Sequence, residues 1–268
     1  MTPQQTVKQI KDLMGTLIEL SLSNEQNFPV THGTPNAAFE ITVSNAAGMS
    51  IALKNVAYRD IYGELEKAKC FNFKMLDGAL VSLRYRFRSR VICEHSLSYF
   101  PSPDLEHFQN EPELYLEDEI YADIIARNIV PFPVRFDFSD DAAKFVDIHH
   151  PCSHLTLGQF ENCRIPVSSP LSPLAFGGFI LRNFYNTAFR KYSDEIPVST
   201  LVFAKTITAN ERTENSTLGV SLTHVAQRIH RLRRRSDVLG KTSRTFARAA
   251  ARKASLNSTS LPIGNRDG

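Results

Sequence analysis

The chain has 268 residues, of which 42% are hydrophobic and 22% charged, and its formal net charge is +3. This composition is typical of a globular protein that can bury a core. No apolar run approaches the roughly 18 residues that a membrane span needs, and the N-terminus lacks the apolar centre of a signal peptide. With four cysteines and no export signal, we expect a cytoplasmic protein with reduced thiols and no membrane contact.

The positive charge is concentrated near the C-terminus. Residues 228–253 contain ten Arg or Lys and a single acid, Asp237, so the rest of the chain carries more acidic than basic residues. This pattern differs from that of a uniformly basic nucleic-acid binder. We expect a single α+β domain over residues 1–200 and a basic, partly disordered extension over residues 201–268.

The N-terminal half predicts two amphipathic helices and an antiparallel meander. Apolar residues recur at helical spacing in two segments, and an Asp-Gly pair at 77–78 between two alternating segments is typical of a β-hairpin. Helices are predicted over residues 3–22 and 55–68, and strands over residues 38–43, 71–87 (the hairpin) and 91–100.

The second half predicts alternating segments followed by a strongly apolar helix. The predicted elements are a helix over residues 112–126, strands over 131–139, 143–150 and 153–158, a helix over 172–189 and a strand over 198–204. The predicted elements of both halves, with the sheet and helices over residues 55–190, together indicate an α+β fold. We expect an antiparallel β-meander sheet of about five to seven strands packed by helices, with a basic C-terminal extension.

The segment from residue 135 to residue 164 carries the candidate catalytic groups. Two of them alternate on the polar face of the strand over 131–139, and histidines cluster after it. The candidate side chains are Arg135, Asp137, His149, His150, His154 and Arg164. Histidine suits acid–base work because its unperturbed pKa lies near neutrality.

This set of residue types suits metal-independent RNA cleavage. One imidazole removes the 2′-hydroxyl proton while another protonates the leaving oxygen, and a guanidinium neutralises the charge that develops on the phosphate. We expect His150 and His154 to be the acid and the base. Arg135 or Arg164 would stabilise the charge, and Asp137 would orient an imidazole.

Other interpretations of the same residues stay open. The histidines are equally compatible with a structural cluster that ends a strand. Zinc is a second alternative, although the spacing of its candidate ligands matches no established zinc pattern; these ligands are His150, Cys152, His154 and Cys163. A third is Mg²⁺ held by Asp137 and acids of the helix over 112–126. No phosphate-binding loop or dinucleotide motif occurs, so we expect no cofactor.

A row of arginines on the predicted hairpin is the candidate nucleic-acid-binding surface. Arg84, Arg86 and Arg88 alternate along one strand and therefore share one face. Such a row can follow a phosphate backbone. Its alternative role is to pair with the acidic helix over 112–126.

Several long segments resemble a known bacterial family. DGALVSLRYRF, LSYFPSPDLEHFQNEPELYLEDEIYADI, PVRFDFS, HPCSHLTLGQFENCRIPVSSPLSP and FILRNFYN together are similar to the uncharacterised family catalogued as domain of unknown function 2290. The resemblance covers roughly residues 55–190, and the family name implies no activity. A fainter similarity, to RNA-cutting toxins of toxin–antitoxin pairs, implies working roles for Arg135, Asp137, His150 and His154.

The sequence therefore supports one leading hypothesis and two alternatives. The leading hypothesis is a nucleic-acid-acting, endoribonuclease-like effector whose partner is RNA. The first alternative is a non-catalytic accessory or binding subunit of a toxin or defence system, with a protein partner encoded nearby. The second is a metal-dependent nuclease.

Overall fold

The computed structural model describes residues 1–46, 56–104, 131–160 and 162–214. The predicted helix over 112–126 and the basic stretch over 228–253 lie outside the described residues. The chain divides into two compact units, Met1–Val225 and Ala226–Gly268, and every described residue belongs to the first. Within the described ranges, no helix combines the length and the apolar character needed to cross a membrane.

Nine strands in the described part of the chain form one antiparallel sheet. They are β1 (Ser23–Gln26), β2 (Val30–Gly33), β3 (Ala38–Thr42), β4 (Phe73–Met75), β5 (Leu80–Arg88), β6 (Val91–Phe100), β7 (Val134–Ser139), β8 (Ser153–Leu157) and β9 (Ile165–Pro166). Their order is β1-β4-β5-β6-β7-β8-β9. The strand β3 pairs with β5 on the same edge as β4, and β2 pairs with the outer edge of β3. The α+β meander predicted from the sequence is confirmed.

Five helices accompany the sheet in the described ranges: α1 (Pro3–Glu19), α2 (Tyr58–Lys67), α3 (Pro173–Phe184), α4 (Asn186–Lys191) and α5 (Ala209–Glu214). The start of α1 is fixed by a capping box, in which the Thr2 hydroxyl accepts from the Gln5 amide and the Gln5 side chain accepts from the Thr2 amide. Pro3 follows at the first helical position, where its missing N–H costs nothing.

One face of the sheet is apolar and packs on α3, which in turn packs on α1. The Phe136 ring of β7 makes edge contacts with Phe176 and Phe179 of α3. Gly177 permits the close approach of α3 to α1, because an added Cβ would lie 2.6 Å from a methyl carbon of Leu13. Hence the glycine pair at 177–178 belongs to a packed helix and does not interrupt it.

The other face of the sheet is polar over much of its area, because polar and apolar residues alternate along β5 to β8. At one end Leu80 and Phe100 turn to this face and are covered by α2 through Ile61, Tyr62 and Leu65. Beyond that end the strands present arginine, serine, aspartate and histidine side chains. The alternation thus separates the core of the protein from its polar surface.

Two predicted strands are wrong. Residues 143–150 form turns that a single bridge between Val146 and His150 closes, with Ile148 in the left-handed region at φ 68°. The neighbour of β7 is therefore β8. Residues 198–204 form no strand; they run beside the sheet, and Phe203 packs against Tyr85 and Phe87. Residues 201–214, the beginning of the expected extension, lie in the compact unit Met1–Val225.

The predicted helix over 172–189 is broken at Tyr185. This residue leaves helical geometry, with φ −129° and ψ 51°, and its hydroxyl donates to the Asp77 carboxylate at 2.6 Å. Tyr185 is therefore both the last cap of α3 and the residue from which α4 starts. Three short strands, β1, β2 and β9, were not predicted, and α1 ends at Glu19 rather than residue 22.

Candidate functional site

The polar face of β5 to β8 lies at the base of a cleft of about 780 Å³. All five predicted catalytic residues line it, together with one arginine of the predicted nucleic-acid-binding row. These residues are Arg84, Arg135, Asp137, His150, His154 and Arg164. Groups that are far apart in sequence therefore share one concave surface, which a common reaction requires.

Cross-strand register explains most of this convergence. Arg84 of β5 lies opposite Ser96 of β6, Ser96 lies opposite Asp137 of β7, and Asp137 lies opposite His154 of β8. Directly opposed residues have Cβ atoms about 4.5–5.5 Å apart. The four side chains consequently form one row across the sheet. Arg135 lies in the next row.

His154 is buried, with 7% of its surface exposed, and has a defined tautomer. Its Nδ1–H donates to the Pro151 carbonyl at 2.9 Å, because a carbonyl can only accept. In the neutral ring Nε2 therefore carries the lone pair. Burial is the main cause that lowers the pKa of His154, helped by Arg164 and Arg135, whereas the Pro151 hydrogen bond and Asp137 oppose it.

His150 reaches the cleft from the loop between β7 and β8. Its ring centroid lies 5.4 Å from that of His154, with the planes at 67°. Burial, and then the charges of Arg164 and His154, lower the pKa of His150. The neighbouring His149 is exposed and does not line the cleft.

The loop that carries His150 is tied to the C-terminal part of the described chain. Asp147 accepts hydrogen bonds from the Thr208 hydroxyl and the Asn210 side chain, both at 2.7 Å. These bonds hold the pKa of the Asp147 carboxyl below its usual value. At the end of the loop, the Thr206 hydroxyl donates to the Ser153 hydroxyl at 2.8 Å. We call residues 206–210 the strap.

The charged groups around the histidines differ in their partners. The Asp137 carboxylate accepts from the Ser96 hydroxyl at 2.8 Å and lies 4.0 Å from Nε of Arg135. Asp137 does not accept the hydrogen bond from Nδ1 of His154, because that bond goes to the Pro151 carbonyl. Arg164 has no acidic partner among the described residues.

Each arginine of the predicted nucleic-acid-binding row has an acidic partner. The Arg84–Glu40 distance is 2.7 Å, the Arg86–Glu94 distance 3.0 Å and the Arg88–Asp140 distance 3.7 Å. The row is therefore largely compensated in charge. Arg86 and Arg88 line a second groove, of about 660 Å³, which shares several lining residues with the cleft.

The residues proposed for zinc do not assemble a site. Among the described residues, no three His, Cys, Asp or Glu side chains converge in a way that could hold a metal ion. The four cysteines, all of which lie in the described ranges, form no disulfide bond there. Burial, followed by nearby acids, raises the pKa of the Cys152 thiol, so it is a poor nucleophile at neutral pH.

Several cleft residues were not predicted from the sequence. Ser96, Lys144 and Phe160 line the cleft, and Phe160 is 74% exposed at its rim. Ser96 alternates with core residues on β6, so strand periodicity could have identified it. Lys144 and Phe160 lie outside regular elements, where periodicity gives no information.

The fold and the cleft together define an α+β protein whose open sheet face carries a histidine and arginine site. The chain belongs to the family described as "Uncharacterized conserved protein (DUF2290)", whose model matches residues 22–217. The match includes every strand and the strap, which confirms the resemblance over residues 55–190 and extends it. No match to the chain was found among curated proteins or among solved structures.

Proposed function

We propose that this protein cleaves RNA by metal-independent transesterification in the cleft. One observation carries the proposal: the imidazoles of His150 and His154 lie 5.4 Å apart in a cleft that Arg135 and Arg164 also line. Two imidazoles and a guanidinium are the groups that this reaction needs.

The tautomer of His154 favours it as the base. Its Nε2 accepts the proton of a 2′-hydroxyl while the 2′-oxygen forms a bond to the adjacent phosphorus. The bond from phosphorus to the 5′-oxygen breaks, and His150 donates a proton to that leaving oxygen. The products are a 2′,3′-cyclic phosphate and a 5′-hydroxyl, so every atom and proton is accounted for.

The surrounding charges support this division of roles. Arg164, which has no acidic partner in the described part of the chain, would neutralise charge that builds on the phosphate oxygens, and Arg135 would assist it. Asp137, directly opposite His154, favours the imidazolium that forms when His154 takes its proton. We assign Asp137 this electrostatic role.

The pKa directions set an expected pH dependence. Active protein would need a neutral His154 and a protonated His150, and both pKa values lie below the ordinary value of about 6.5. Because the two groups interact, the bell-shaped profile belongs to the pair. We expect kcat/KM to peak on the acidic side of about pH 6.5.

The test uses purified full-length chain and end-labelled single-stranded RNA in the presence of a chelator. We expect fragments with 2′,3′-cyclic phosphate ends, and protection of any bond whose nucleotide is 2′-deoxy. His150→Ala and His154→Ala should lose cleavage, whereas His149→Ala, the exposed neighbour, should keep it. Intact RNA with the wild-type chain, or undiminished cleavage by His154→Ala, would refute the proposal.

A further inference from the structure

Phe160 is an exposed aromatic ring at the rim of the cleft. Its side chain follows the end of β8 and is 74% exposed. A single exposed apolar residue is ordinary, so exposure alone carries no argument. The position does, because Phe160 lines the same cleft as His154 and Arg164.

The ring of Phe160 lies against the turn at Gly158. Gly158 has φ +66°, and its N–H donates to the Pro133 carbonyl at 2.7 Å. An added Cβ on Gly158 would lie 3.3 Å from the Phe160 ring and 3.8 Å from Cβ of Phe132. The ring of Phe160 therefore rests beside Gly158, and Phe132, 44% exposed, approaches the same glycine.

The cationic side chains of the cleft add a second observation. Lys144 and Arg164 line the cleft, and neither has an acidic partner among the described residues. Gly158 lies four residues beyond His154, about 13 Å along an extended strand. A groove that carries both cationic side chains and an aromatic ring is a combination by which proteins bind single-stranded nucleic acid.

We infer that Phe160 is a stacking platform for an unpaired nucleobase, so that single-stranded RNA rather than duplex is the ligand of the cleft. The inference rests on the proposed function, which it deepens by naming the substrate class. Bases inside a duplex are stacked on each other and cannot lie against a protein ring. Because every base has a π-face, Phe160 would tolerate many sequences.

The chain contains no tryptophan, which makes a direct test available. Phe160→Trp introduces a sole indole at the platform, and Phe28→Trp introduces one at a phenylalanine that is 59% exposed and lines neither groove. The probe is a 2′-O-methyl oligonucleotide, which cannot be cleaved. We expect it to quench the emission of Phe160→Trp and to leave that of Phe28→Trp unchanged.

Affinity gives the second readout. Phe160→Ala should weaken binding of the single strand about 5- to 150-fold, the factor that corresponds to one stacked base, while Phe28→Ala should not. A duplex of the same sequence should bind more weakly and be insensitive to Phe160→Ala. Equal binding of the duplex, unquenched Phe160→Trp emission, or unchanged affinity of Phe160→Ala would overturn the inference.

The outcomes separate this inference from the cleavage proposal. Quenching and affinity loss without any RNA cleavage would support the platform and refute the cleavage. Cleavage with unchanged Phe160→Ala affinity would refute only the platform. A wild-type chain that binds neither the single strand nor the duplex would overturn both.

Discussion

His95 and His154 are buried histidines of one sheet, 2% and 7% exposed, yet they lie on opposite faces. His95 packs among core rings, including those of Tyr85 and Phe138. Its Nδ1–H donates to the Phe136 carbonyl at 3.2 Å, and its Nε2 accepts from the Leu171 amide at 3.1 Å. Burial lowers the pKa of His95 to about 3.

The difference between these histidines lies in their free nitrogen atoms, not in their burial. Both ring nitrogens of His95 are used by the backbone, so the ring stays neutral and structural. His154 uses only Nδ1, and its Nε2 has no protein partner among the described residues. A histidine that can exchange a proton with a substrate needs such a nitrogen.

The largest expected effect is on activity. His154→Ala should lower kcat/KM for RNA cleavage by about 10²- to 10⁴-fold, because the variant lacks the proposed general base. Its free energy of unfolding should change less than that of the matching His95→Ala variant. Steady-state cleavage and urea denaturation of both variants would check this, and a larger loss of stability at His154 would place it with His95 as structural.

His95→Ala should lower the free energy of unfolding by about 3–5 kcal/mol, because it leaves two backbone groups unsatisfied and opens a cavity. The measurement is urea denaturation at pH 7. His32→Ala, at an exposed histidine, is the control and should stay within about 0.5 kcal/mol of wild type. A loss below about 1 kcal/mol for His95→Ala would contradict the structural role.

Acid should destabilise the protein partly through His95. Its folded-state pKa of about 3 lies below the unfolded value, so between pH 6.5 and 3 only the unfolded chain binds the proton. Stability falls as pH falls, by about 2 kcal/mol from this group at pH 5. His95→Gln should lack this part of the loss, and denaturation of both proteins at pH 7 and 5 would measure it. An identical loss of stability between pH 7 and pH 5 in both proteins would show that His95 is not the source of the pH dependence.

Arg164→Gln should lower the cleavage rate about tenfold and move the pH optimum of kcat/KM upward. The upward shift follows because Arg164 lowers the pKa values of both His150 and His154. A pH–rate profile checks it, with Arg190→Gln, at an exposed residue of α4, as the control. A lower rate with an unchanged pH optimum would show that Arg164 does not act through the pKa values of His150 and His154.

The smallest effect is expected at the compensated arginines. Arg86→Gln should change RNA affinity less than about threefold, because Glu94 and Glu40 already neutralise Arg86. Arg164→Gln should reduce the slope of log affinity against log salt by about 0.7, one phosphate contact on a single strand. Binding titrations at several salt concentrations compare the two. A larger slope change for Arg86→Gln would restore the arginine row as the main phosphate contact.

The sequence was informative where polar and apolar residues alternate along a strand. The periodicity of β5 to β8 was sufficient to predict that Arg135 and Asp137 share a face, and the hairpin and the strand after it were confirmed. The same alternation puts His95 in line with Leu97 and Tyr99, so a core histidine could have been recognised. β1 and β2 were missed because their residues are mostly polar and none is buried at the edge of the sheet.

His150 illustrates what the sequence could not predict. The expectation that it ends a strand is wrong, yet it lines the cleft because its loop is held by Asp147. The partners of Asp147 are Thr208 and Asn210, more than sixty residues later. No local pattern encodes such a contact. Phe160 was missed for a similar reason, since its place depends on the turn at Gly158.

The strap has a consequence for the order in which the cleft forms during synthesis. The strands β7 and β8, with Asp137 and His154, leave the ribosome before residues 206–210, because synthesis runs from the N-terminus. Until the strap emerges, Asp147 lacks the two hydrogen bonds that Thr208 and Asn210 donate. The contacts that hold the His150 loop are therefore among the last of the described contacts that a growing chain can make. We expect a chain that ends before Thr206 to lack them, and with them the support of the His150 loop.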